Sequence, residues 1–131
     1  MIIIQRQPFV FECHFNADII KSNYGNDIRY CHDMFQLFLE TIPRDLFFLK
    51  NAIKTRNLLD IFQIAQRIKS NFYWIGLDDC ANSLEKLANF ARFKEESSTL
   101  DLGVQVIQNI DAKISAVKQE SERMNNYLSR A

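Results

Sequence analysis

The stretch AQRIKSNFYWIGL, Ala65 to Leu77, sets polar side chains among aromatics at helical spacing. Gln66 has Phe62 one turn before it, Lys69 and Ser70 one turn after, and Tyr73 two turns after. An amide is neither basic nor nucleophilic near pH 7, but it donates and accepts hydrogen bonds. This cluster therefore suits recognition better than bond making. Other chemistry-bearing residues are sparse. The histidines are His14 and His32, and Cys31-His32 is a lone adjacent pair, short of a zinc ligand set. Two such histidines supply no Ser-His-Asp constellation, and no phosphate-cradling glycine loop is present. The acid pairs Asp78-Asp79 and Glu95-Glu96 read as helix caps and solvated charge. No catalytic residue, metal site or cofactor is assigned, and no enzymatic activity is expected.

The elements that must position Gln66 follow from periodicity. IIIQRQPFVFECHF alternates loosely and reads as a short extended arm. NADIIKSNYGND reads as a short helix and a turn at Gly25 and Asn26. From Asp27, Ile28, Cys31, Phe35, Phe38, Leu39 and Ile42 recur at helical spacing. Pro43 is expected to kink that helix or start a new turn before Leu46, Leu49, Ala52 and Ile53 resume it. Asn57 caps the next helix, with Asp60 in its first turn, and Gly76 ends it. Asp78 is the predicted N-cap of a helix from Asp79 to about Lys94. Glu95-Glu96-Ser97-Ser98 reads as the last loop, with Ser98 capping the final helix. There Ile107, Ile110, Ile114, Val117, Ser121, Met124 and Leu128 form a narrow seam. Covering the chain's own core is the favoured use of that seam; pairing with another helix is the alternative. The expected fold is all-α: an antiparallel up-and-down four-helix bundle with a short N-terminal arm or helix and a long C-terminal helix, as one domain over residues 1–131.

Composition narrows the function. Eleven Phe against three Gly and two Pro favour a compact helical body. Sixteen basic residues balance sixteen acidic ones, so nothing pulls the chain generally toward nucleic acid or an anionic membrane. Three widely spaced cysteines suggest reduced thiols rather than a disulfide framework. The apolar start is interrupted by Gln5, Arg6, Gln7 and Pro8, unlike a signal peptide. No apolar run is long enough to span a bilayer. These features imply a soluble, cytoplasmic protein.

On the third helix, Leu58, Ile61, Ile64, Ala65, Ile68, Phe72 and Ile75 form the core stripe. Gln63, Gln66, Lys69, Ser70 and Tyr73 point the other way, with Leu59 and Phe62 nearby. Such a face is commonly just solvated, since exposed apolar residues are ordinary. Alternatively it docks a partner, the apolar side chains supplying buried area and the polar centre specificity.

The same stretch resembles the signature of histidine phosphotransfer (HPt) domains: Ala, the phosphoacceptor His, a variable residue, Leu, Lys, Gly, Ser, then a later Gly and a leucine-patterned helix. Ala65, Ile68, Lys69 and Gly76 match; Ser70 stands where Gly is usual; Leu84 and Leu87 fit the following helix. Upstream, GNDIRYCHDMFQLFLETIPRDLFFLKNAI resembles the helix preceding the signature, so the likeness runs from about Asn16 to Phe93. The resemblance implies a four-helix bundle whose exposed histidine takes a phosphoryl group from a receiver domain's aspartyl phosphate. It also implies that Lys69 favours the phosphorylated state and that small Ser70 lets the partner approach. The departure is Gln66, at the phosphoacceptor position. It keeps a polar side chain of similar reach and removes the reaction.

The expected function is thus a pseudo-phosphotransfer protein that binds a response-regulator receiver domain or hybrid histidine kinase as a monomer. Its docking set is Leu59, Phe62, Gln63, Gln66, Arg67, Lys69, Ser70 and Tyr73. Neither nucleic acid nor membrane is an expected partner. One alternative is an adaptor bundle acting through its C-terminal helix. Another is a phosphorelay intermediate whose histidine was replaced by Gln66.

Overall fold

Helix starts are written locally in this chain. Asn16, Asp27 and Asn57 each accept a hydrogen bond on side-chain Oδ1 from a backbone N–H three residues on, at 3.2, 3.0 and 3.1 Å. They open α1 (Ala17–Tyr24), α2 (Ile28–Lys54) and α3 (Leu58–Trp74). Two further helices follow, α4 (Asp78–Arg92) and α5 (Glu96–Ser129). These elements come from a computed structural model that describes residues 7–130. Met1 to Arg6, the start of the predicted arm, lie outside the described residues; from Gln7 to Glu12 the arm has no regular structure. Among the described residues, no helix is long and apolar enough to cross a membrane.

Three boundaries differ from expectation. Pro43 does not break α2, which runs unbroken from Ile28 to Lys54 with Pro43 exposed on its outer side. Only the hydrogen bond to the Leu39 carbonyl must be given up there. Asp78 is not the cap of α4: Leu77 occupies that position, without a side-chain cap. Asp78 is instead the first helical residue, where its carboxylate meets the positive helix end and accepts from Asn16 Nδ2 at 3.3 Å. Ser98 does not cap α5, which begins at Glu96. The chain reverses earlier, with Lys94 at φ +59° and the Glu95 N–H bonded to the Phe90 carbonyl, so α4 also ends at Arg92.

α2 packs on α3 and α5, α4 packs on the same two helices, and α1 lies across α2 and α3. Each long helix contributes to one apolar cluster. Phe35, Leu49, Ile61, Ala65, Ile68, Phe72, Leu84, Leu87, Ala88, Val117 and Met124 have no accessible surface. The predicted core stripe of α3 is buried, with Leu58 and Ile64 half-buried at its margin. Four of the seam residues of α5, Ile110, Val117, Ser121 and Met124, are buried, and Ile107, Ile114 and Leu128 are half-buried. The seam therefore covers the chain's own core. Cys31 and Cys80 are buried free thiols; burial pushes them up to about 12 and about 11, so both are neutral near pH 7.

The arm is clipped onto α5 by three side chains on one face. Glu120 is fully buried, accepts the Glu12 N–H at 2.7 Å and pairs with Arg123. Arg123 donates to the Val10 carbonyl at 2.9 Å and lies over the Phe9 ring. The Tyr127 hydroxyl donates to the Gln7 carbonyl at 2.8 Å. Glu120→Ala is expected to cost about 2 kcal/mol, the scale of a hydrogen bond to a charged group. Urea unfolding and amide exchange at Glu12 check this; unchanged exchange would show that the arm is held by other contacts.

Candidate docking site

The position of Gln66 is set from behind. Ala65 and Ile68 are completely buried, so α3 cannot roll, and Gln66 is fixed on its outer side toward α4. Gln66 is half-buried, and its amide makes no side-chain hydrogen bond to any described residue. Leu59, Phe62, Lys69 and Tyr73 follow the same flank of the helix, while Gln63 and Ser70 lie at its most outward position.

These residues differ in exposure. Leu59 is 63% and Tyr73 47% exposed, large values for an aliphatic and an aromatic side chain. Phe62 is half-buried against the core and acts as a wall more than a free contact. Gln63 and Ser70 are exposed, and Ser70 leaves the surface low beside Gln66. Lys69 Nζ lies 3.8 Å from Glu85 Oε1 on α4. Glu85 is well exposed, so this pair holds the ammonium only weakly.

Arg67 behaves differently from the rest of the predicted set. Its guanidinium turns toward α2 and lies 3.3 Å from Asp45 Oδ1. Asp45 is buried, and the pair satisfies a carboxylate that would otherwise be costly to enclose. Beside it, Met34, Leu37, Thr41, Arg44, Asn71 and Trp74 line an open groove of about 320 Å³ between α2 and α3. Leu37 and Trp74 leave apolar surface exposed there. The sequence reading missed this groove. Its only signal was Asp45, an acid beside the apolar repeat that resumes at Leu46.

Neither histidine belongs to this helix face. His14 is exposed on the arm, with Nδ1 3.4 Å from Lys113 Nζ. His32 of α2 is buried, and its Nε2 has no hydrogen-bond partner among the described residues. It lies roughly five turns before Lys50, which reaches Asp111 of α5 at 3.5 Å, so the flank they share is the one α5 covers. Among the described residues, no group of three or more His, Cys, Asp or Glu is arranged to hold a metal ion.

The site thus offers an amide on a fixed helix, a neighbouring cation and exposed apolar surface. Among its described residues there is no histidine or cysteine. No protein-family model matches the chain, and comparison with curated proteins and with solved structures finds no match to either.

Proposed function

We propose that this chain is a docking protein of two-component signalling that binds receiver domains and passes on no phosphoryl group. In this reading α2 to α5 form an antiparallel up-and-down four-helix bundle of the HPt kind, and α3 presents the docking face. The pairing of each long helix with two others, through short connections, supports that arrangement. The partner is a response-regulator receiver or the receiver of a hybrid histidine kinase, met by a cytoplasmic monomer.

The observation that carries the reading is Gln66 itself. It is held on a fixed helix, its amide is unengaged among the described residues, Lys69 stands one turn on, and Leu59 and Tyr73 expose apolar surface beside it. An acidic receiver pocket complements the ammonium, and the apolar side chains supply desolvated area. The alternative adaptor role has less support, because the α5 seam it would use is turned into the core.

The test is binding to purified receiver domains from the same host, each with and without beryllofluoride as an aspartyl-phosphate mimic. Tyr73→Asp is expected to weaken binding at least about tenfold by placing a charge in the apolar contact. Gln66→His is expected to gain phosphoryl transfer. If no receiver binds in either state, the proposal fails.

A further inference from the structure

An amide that cannot accept a phosphoryl group can still assist its transfer to water. We infer that Gln66 orients a water molecule against the aspartyl phosphate of a docked receiver and accelerates its hydrolysis. This rests on the docking reading above and adds an activity to it.

A phosphoryl group asks for placement more than for covalent chemistry. Its transfer requires little covalent help from a protein; positioning and charge supply most of the acceleration, and a glutamine that orients the attacking water is one recurring device. Such a glutamine needs a carbonyl oxygen to accept from the water and an N–H to donate to a phosphoryl oxygen. Both groups of Gln66 are uncommitted among the described residues. A glutamine already bonded within its own fold would have to break those bonds first.

Geometry supplies the rest. Ala65 and Ile68 lock the backbone on either side, so the amide is displayed from a fixed base. Half-burial narrows its rotamers, while its torsions still let it fold aside and leave the line of attack to a water. Ser70, one turn on, adds little bulk where the phosphorylated loop must approach. Lys69 can move from exposed Glu85 toward the phosphoryl oxygens, because an exposed pair of this kind contributes little.

The step balances without an oxidant or a reductant. The water oxygen forms a bond to phosphorus as the bond from phosphorus to the aspartyl oxygen breaks. The electron pair of the broken bond leaves with the receiver carboxylate. One water proton passes to a phosphoryl oxygen, and inorganic phosphate departs. The receiver contributes the phosphorylated carboxylate and its divalent cation; the chain contributes the amide and the ammonium.

The experiment charges receiver domains with acetyl phosphate, removes the donor, and follows phosphate release with a tenth of an equivalent of the full chain, about the level that reveals turnover. Binding of each receiver is measured in parallel. The expected result is release accelerated at least about tenfold by the wild-type chain. At receiver concentrations that saturate each variant, so that any affinity lost with the amide is made up, Gln66→Ala and Gln66→Asn, which removes one methylene of reach, are expected to lose the acceleration. Thermal melts check that both variants fold. Binding with unchanged or slowed release would overturn the inference and leave a receptor that only docks. Acceleration that survives in Gln66→Ala would also overturn it. Absence of binding would overturn the docking reading, and the inference with it.

Discussion

Phe72→Ala is expected to lower the unfolding free energy by about 4 kcal/mol, a large share of the roughly 5–15 kcal/mol that holds a domain of this size. Phe72 has no accessible surface and meets the Phe38 ring edge to face, with centroids 5.1 Å apart. Truncation removes the transfer free energy of the ring, forfeits the aromatic contact and leaves a void between α2 and α3. Both helices are fixed by other buried residues on either side, Phe35 and Leu49 on α2 and Ile61 and Ile68 on α3, which limits collapse into the void. Urea unfolding should show a lower midpoint with little change in slope. Tyr73→Ala, the very next residue, is expected to change stability by less than about 0.5 kcal/mol because Tyr73 is exposed and lies outside the core cluster. A loss below about 1 kcal/mol for Phe72→Ala would contradict the assigned core.

The second large effect is expected at Gly76, with a loss of about 3 kcal/mol for Gly76→Ala. Two costs add. The backbone there has φ +76°, a region where an L side chain is strained by roughly 1–2 kcal/mol. A Cβ would also sit 2.7 Å from Ile20 Cδ1 and 3.2 Å from the Asn16 backbone nitrogen. Ile20 is buried to 1% exposure and the Asn16 nitrogen is main chain, so neither gives way readily. That nitrogen donates to the Gly76 carbonyl at 2.8 Å, and the Tyr24 hydroxyl donates to the Trp74 carbonyl at 2.7 Å. The substitution should therefore loosen α1 from the end of α3. Calorimetry together with amide exchange across Ala17–Tyr24 checks both parts. A stable variant with unaltered exchange in α1 would show that α1 is not seated on this turn.

Gly76 also marks how far the chain could be read without coordinates. Its place at the end of α3 was legible from local pattern, as were the Asn57 cap and the stripe from Ile61 to Ile75. Each depends on bonds and contacts within a few residues. That an added Cβ at Gly76 would strike Ile20 was not legible, since α1 returns to that turn only in the folded molecule. The misplaced starts of α4 and α5 have a similar cause. Asp78 and Ser98 are sound caps in isolation, but Asp78 is engaged by Asn16 and the chain reverses at Lys94, and the caps fall at Leu77 and Glu95 instead.

The candidate site divides in the same way. The sequence by itself determined that Gln66 stands on the outward side of an amphipathic helix, with Lys69, Ser70 and Tyr73 within two turns, because a helical period settles which residues share a face. Only the tertiary structure decided what those side chains touch. Arg67 is drawn to buried Asp45, Lys69 to Glu85, and the Gln66 amide is left without a side-chain partner among the described residues. Burial of His32 and Glu120 was likewise settled by the packing of α5 and the arm, which are remote in sequence. Period and capping are properties of a few neighbouring residues. Pairing and desolvation depend on which helix arrives opposite, and that is set by the packing of the whole chain.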